Sequence, residues 1–153
     1  MFRGNVVYLY TAPDAAVPME SQEEVKAVAG RGLEGDRYLN GTGHWSKTPG
    51  VSREVTLIEL ETIEALEREK SIAITPGAVR RNVVTRGVPL NHLVGREFQV
   101  GAVSLRGTRL CEPCAYLEGL TQQGILAGLI HRAGLRAEIV TGGTIRVEDA
   151  ITE

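Results

Sequence analysis

Short runs of alternating apolar and polar residues dominate the chain, interrupted by three stretches that carry helix signals. Val6-Val7-Tyr8-Leu9-Tyr10 is rich in strand formers and is closed by Pro13-Asp14. Ser21-Gln22-Glu23-Glu24 has capping-box spacing and predicts a short helix running to Ala29, with Gly30 at the C-cap. Residues 30–50 read as a loop, with Gly30, Gly32, Gly35, Gly41, Gly43, Gly50 and Pro49 breaking any periodicity. Glu54–Ile58 reads as a strand. Glu59–Glu69 reads as a helix with Leu60, Ile63 and Leu66 on one face, and a capping box from Thr56 to Glu59 would let it begin earlier.

Pro76-Gly77 punctuates the chain, and Asn82-Val83-Val84-Thr85 follows as a short strand. Phe98, Val100, Val103 and Leu105 alternate with polar or small residues around Gly101. Between Leu117 and Ala133 the pattern predicts a helix with Leu126, Leu129, Ile130 and Ala133 on one face, stopped by Gly134. Ile139–Thr141 and Thr144–Val147 flank Gly142-Gly143, a two-residue hairpin signal. Many short strands, few helices and no regular βαβ alternation predict an α+β protein, predominantly β, built on a β-barrel or folded sheet. With 153 residues and no repeat or linker, the expectation is a single domain over 1–153.

Composition narrows the function classes. The 42% hydrophobic and 24% charged content is that of an ordinary globular chain. The formal net charge of −2 lacks the basic excess of a protein that binds nucleic-acid polymers through phosphate neutralisation. No apolar run approaches the ~20 residues of a membrane span. Met1 to Tyr10 lacks a signal-peptide pattern, so the expected location is the cytoplasm, with thiols reduced. Only Lys26, Lys47 and Lys70 are lysines, against 14 arginines, and arginine is the better fork for oxyanions.

Three stretches hold residues suited to chemistry. Cys111-Glu112-Pro113-Cys114 follows a strand, and a lone CxxC supports a zinc site, a redox dithiol, two inert buried thiols or a thiolate ligand to a soft metal. In Arg80-Arg81-Asn82, strand alternation would let one arginine line a pocket while the other faces solvent, with Asn82 on the Arg80 face. In Gly32-Leu33-Glu34-Gly35-Asp36-Arg37, glycines would let backbone N–H groups approach an anion beside Arg37; the plainer alternative is a tight turn with a surface Asp36–Arg37 pair. No P-loop or GxSxG motif is present, and His44, His92 and His131 show no partner spacing for a catalytic triad.

Together the segments Gly30–Arg37, Arg80–Gly87 and Leu93–Arg96 through Leu105–Cys114 resemble the MOSC family, named for the C-terminal domain of molybdenum-cofactor sulfurases, and most of all its small stand-alone bacterial members. The resemblance implies a β-barrel core with a few peripheral helices. It implies binding of the molybdenum cofactor (molybdopterin), with Cys114 as molybdenum ligand and catalytic centre, Arg80 and Asn82 on the pterin, and Arg37 on the pterin or its phosphate. Pyridoxal phosphate is not expected in this chain. The expected activity is reduction of N-hydroxylated bases or related compounds, fed by an electron-donating reductase; His44, Trp45 and Glu112 are candidates for the substrate mouth that the resemblance does not supply, and it carries over no role for Cys111 or Glu112. The alternative is a carrier of sulfur, as a Cys114 persulfide, or of the cofactor, working between a cysteine desulfurase and a client molybdoenzyme. A structural or interaction module with inert cysteines is the third reading.

Overall fold

The computed structural model describes residues 1–48 and 53–153. Seven strands close into a barrel: β1 (Arg3–Thr11), β5 (Val55–Glu59), β6 (Val83–Arg86), β7 (Glu97–Val100), β8 (Val103–Leu110), β9 (Leu135–Thr141) and β11 (Ala150–Thr152). They run in the order β11-β7-β8-β9-β5-β6-β1, and β1 returns to β11 through Arg3 opposite Thr152. Closure removes the free edges that an open sheet would expose. β2 (Glu20–Gln22) adds to the far end of β1, while β3 (Glu24–Val28), β4 (Gly32–Leu33) and β10 (Gly143–Arg146) form a separate three-stranded sheet.

Within the barrel only β5 and β6 are parallel, and a parallel pair needs a crossover. The crossover carries α2 (Leu60–Lys70), which packs back over the pair. This explains the unbroken apolar runs there. Leu57 and Val83 point into the barrel core, whereas Ile58 and Val84 point outward beneath α2, α3 (Ala115–Leu120) and α4 (Ile125–Leu129), joining Ile63, Leu66, Leu117, Ile125 and Leu129. The barrel interior is filled by Val6, Leu9, Phe98, Val103, Leu105 and Leu135, each at most 1% exposed.

Four sequence expectations are corrected. Residues 21–29 form β2 and β3, not a helix. Val25 and Ala27 are buried between exposed Glu24 and Lys26, a period of two that overrides the cap signal, and Gly30 (φ +73°) turns the chain between β3 and β4. Residues 30–48 contain β4 and the one-turn helix α1 (Arg37–Asn40), while Pro49 and Gly50 lie outside the described residues. The 117–133 stretch is two short helices. Thr121 and Gly124 (φ +100°) break it, the Glu118 carboxylate accepts from the amides of Gly124 and Leu126, and Ile130 is half exposed. Gly142-Gly143 does not close a hairpin: β9 pairs with β5 and β8, while β10 leaves to pair with β3. In addition α2 starts at Leu60, because Thr56 is spent within β5 on Asn82.

Among the described residues no helix is long and apolar enough to cross a membrane.

Gly134 ends the α4–β9 connection at φ +120°, and a Cβ there would lie 2.0 Å from the carbonyl oxygen of Leu57. Gly134→Ala is expected to destabilise the fold by more than about 2 kcal/mol, since backbone rather than a movable side chain blocks the space. Urea unfolding would show this as a lower midpoint at unchanged slope.

Candidate functional site

The barrel's outer wall carries a row of polar groups. Thr56 alternates with core residues Val55 and Leu57, and Arg136 with Leu135 and Ala137, so both side chains face outward. The strand register continues the row: Thr56 lies opposite Arg136, which lies opposite Arg109. Asn82 extends it on the other side, just before β6. Its Oδ1 accepts from the amide and hydroxyl of Thr56 (3.1 and 3.2 Å), and its Nδ2 donates to the Tyr10 carbonyl (3.1 Å). Over the Asn82, Thr56 and Arg136 part of this row opens a cleft.

Arg80, Arg81 and Asn82 all line the cleft and are 9%, 8% and 3% exposed, so neither arginine faces solvent. The alternation expected from sequence fails because Arg80 is left-handed (φ +62°) and closes a 3-10 turn over Pro76–Val79; extended pairing starts only at Val83. The two arginines differ in use. Arg81 has all three guanidinium nitrogens engaged, donating to the carbonyls of Ala133 (2.9 Å), Val79 (3.3 Å) and Cys111 (3.0 Å). Arg80 donates through Nη1 to the Val17 carbonyl (2.5 Å), while its Nη2 is buried with no partner among the described residues. Burial first, and then the neighbouring Arg37 charge, hold the Arg80 guanidinium below its ordinary pKa.

Arg37 comes from α1, where Asp36 is the N-cap. The two side chains form a buried pair at 3.0 Å rather than a surface one, with Asp36 fully enclosed and also accepting from the Ala12 amide. Arg37 Nη2 reaches the Arg80 carbonyl at 3.4 Å, which ties the early loop to the Arg80 turn.

The Cys111–Cys114 segment leads from β8 into α3. The Cys111 amide bonds the Gly134 carbonyl (2.8 Å), and its buried thiol lies 3.7 Å from Arg136 Nη2. Cys114 is the N-terminal flanking residue of α3, half-buried, and lines the cleft; both thiols are free. Glu112 also lines the cleft, but its carboxylate is turned to His131, accepting from the backbone amide (2.7 Å) and meeting Nδ1 at 2.6 Å. One wall is aromatic: His44 stacks on Tyr116 at 3.7 Å and 8°, with Trp45 edge-on at 4.6 Å. His92 sits apart in the Leu90–Leu93 turn. Among the described residues no group of three or more His, Cys, Asp or Glu comes together to hold a metal.

Arg37, Arg80, Asn82 and Cys114 therefore border one cleft, with His44, Trp45 and Glu112 beside them. Sequence reasoning missed Arg53, Arg136 and Tyr116. Arg136 carries the faintest signal, a charge that alternates with Leu135 and Ala137 as Glu138 does with Ala137 and Ile139, which reads equally as a solvated strand position.

A β-barrel with a laterally placed, arginine-lined cleft and a half-buried thiol defines the class. The sequence matches the model of the MOSC domain over residues 44–152, and the chain belongs to that family. The match contains Arg80, Asn82 and Cys114, while Arg37 precedes it. Among curated proteins none matches the sequence significantly. The YuaD protein from Bacillus subtilis is similar in structure at TM-score 0.77 and 16% identity, over 99% of this chain and 97% of that one. YiiM from Geobacillus stearothermophilus is similar at TM-score 0.71 and 13% identity, over 97% and 74% of the two chains. YiiM from Escherichia coli is similar at TM-score 0.67 and 16% identity, over 99% and 69%. At these identities the likeness is one of fold.

The unequal use of the two adjacent arginines is open to test. Arg81→Gln strips partners from buried carbonyls and is expected to cost about 3 kcal/mol or more, at roughly 1–3 kcal/mol per orphaned group. Arg80→Gln loses one bond and relieves repulsion with Arg37, so its cost is expected to stay within about 1 kcal/mol. Urea unfolding of both variants beside wild type measures the difference.

Proposed function

We propose that this MOSC domain binds a molybdenum–pterin cofactor in the cleft and reduces N-hydroxylated bases or related compounds there. The carrying observation is a half-buried thiol, Cys114, in a cleft that also holds a buried guanidinium N–H group with no protein partner, Arg80 Nη2. The donor set fits such a group. Cys114 offers a soft ligand to the metal, and coordination removes its proton. Arg80 and Arg37 supply positive charge and N–H donors for the pterin and its phosphate. Asn82 keeps one amide hydrogen beyond its bond to the Tyr10 carbonyl, available to a heterocycle edge. When bound, the molybdenum centre supplies the two-electron chemistry that takes oxygen from an N–O bond. The chain's own part is to bind and orient. Asp36 pairs with Arg37 and offsets part of its charge, and Glu112 is bonded to His131; among the described residues neither carboxylate forms an ion pair with Arg80, which keeps its charge for an anionic cofactor. The His44–Tyr116 stack and Trp45 offer flat aromatic surface to a planar base. Electrons would come from a separate reductase, with water and the amine as products.

A second reading rests on the contrast between the reachable Cys114 and the buried Cys111. Here Cys114 carries a persulfide, or the cleft carries the cofactor, from a cysteine desulfurase toward a client molybdoenzyme.

Molybdenum and pterin content of protein made in a cofactor-competent host tests both. One metal and one pterin per chain are expected in wild type, with loss in Cys114→Ala and retention of most of it in Cys111→Ala. Metal-free wild type with a persulfide on Cys114 would favour the carrier. Equal loss in the two variants would overturn Cys114 as the single ligand.

A further inference from the structure

Cys114 also borders a second, more open groove, which Arg37 and Arg80 do not line. Its cationic lining is Arg53, Arg109 and Arg136. Two of these stand directly opposite one another on antiparallel strands, Arg109 of β8 against Arg136 of β9. Like charges so placed destabilise a sheet. Elsewhere on the barrel the same problem is answered by a carboxylate: Arg106 of β8 faces Glu97 of β7 and forms an ion pair with it. Among the described residues neither Arg109 nor Arg136 has such a partner.

Among the described residues Arg136 Nε is buried without a hydrogen-bond partner, and its Nη2 lies 3.7 Å from the Cys111 sulfur. The Arg53 guanidinium is held below its ordinary pKa, first by burial and then by the Arg136 charge, with Arg109 adding to it and Tyr38 and Cys111 opposing. The three cations thus share one field. Among the described residues Glu112 is the one carboxylate on the groove, and it is bonded to His131. Among the described residues Arg136 keeps a buried Nε–H without a partner and Arg109 has no ion-pair partner, and guanidinium donors of this kind suit a phosphate.

We propose that Arg109 and Arg136, with Arg53 beside them, form an oxyanion site that takes a phosphate group in the groove next to Cys114. The phosphate's bearer rests on the function proposed above. It is a phosphorylated substrate, a nucleotide rather than a free base, since the cofactor's own phosphate is assigned above to Arg37 and Arg80.

The test uses the purified full chain with inorganic phosphate, AMP and adenosine at constant ionic strength, followed by calorimetric titration and thermal unfolding. Wild type is expected to bind phosphate and AMP with a rise in Tm, and adenosine more weakly than AMP. Arg109→Gln is expected to weaken phosphate binding about 10- to 100-fold. Without phosphate its Tm should rise by about 1–3 °C, because the like-charge pair is gone. Arg109→Lys, which keeps the charge and loses the fork, should retain part of the binding. Pterin content of Arg109→Gln from a cofactor-competent host is expected to be unchanged, and its loss would overturn the assignment of the site to substrate. No response of wild type to phosphate or AMP, or an undiminished response in Arg109→Gln, overturns the proposal. These readouts do not require bound molybdenum, so their failure is distinct from a failure of the Cys114 assignment.

Discussion

The site depends on a buried cation held by carbonyls alone. Arg81 sends its guanidinium into three chain segments, the Val79 turn, the Cys111 corner and the Ala133 connection, none of which is a neighbour of the others in sequence. Backbone carbonyls at the ends of short elements lack partners of their own, and leaving several buried is costly. One planar side chain satisfies three of them and in doing so sets where β8 hands over to α3. The position of Cys114 follows, because only Glu112 and Pro113 separate it from the corner that Arg81 fixes. Asn82, the next residue, ties β1, β5 and its own turn together through Tyr10 and Thr56. Consecutive residues thus serve as staple and spacer, while Arg80 before them keeps a donor unspent.

This division of labour explains how a small barrel supports an open cleft. The interior is filled with aliphatic side chains and Phe98, so no ligand can enter it. Binding surface has to come from the outer wall, and there strand alternation already sets Thr56, Arg136 and Arg109 in one row. The parallel β5–β6 pair needs its outer face covered, and α2 to α4 cover Ile58 and Val84. The cleft is the part of that wall the helices leave open, bounded by the Arg80 turn, the Cys111–Cys114 corner and the loop bearing His44.

Much of this was legible in the residues. The strands around Val6–Tyr10, Glu54–Ile58, Asn82–Thr85 and Phe98–Leu105 declare themselves by composition and alternation, and α2 by its apolar face. The ordered motifs carrying Arg37, Arg80, Asn82 and Cys114 pointed to the MOSC family, which the family match now shows. What stayed hidden has physical causes. A capping box at Ser21 is a local signal, and the packing of Val25 and Ala27 against the core outweighed it. The Gly142-Gly143 pair has hairpin chemistry, yet the partner of β10 is β3, more than a hundred residues away in sequence. Arg81 looked like a solvated strand residue because nothing local indicates that a left-handed Arg80 precedes it. Arg136 and Tyr116 gain meaning only through neighbours that the fold supplies.

The pairing that closes the barrel has a further consequence. Arg3 of β1 lies beside Thr152 of β11, whereas the cleft engages the other end of β1 through Tyr10. At about 3.4 Å per residue, those two ends of β1 are about 24 Å apart. Polypeptide entering β1 or leaving β11 therefore does so well away from the arginines and Cys114. Strand ends that meet in this way tolerate rejoining and insertion, so the same barrel can be circularly permuted, or spliced between other modules, with its cleft still open to solvent.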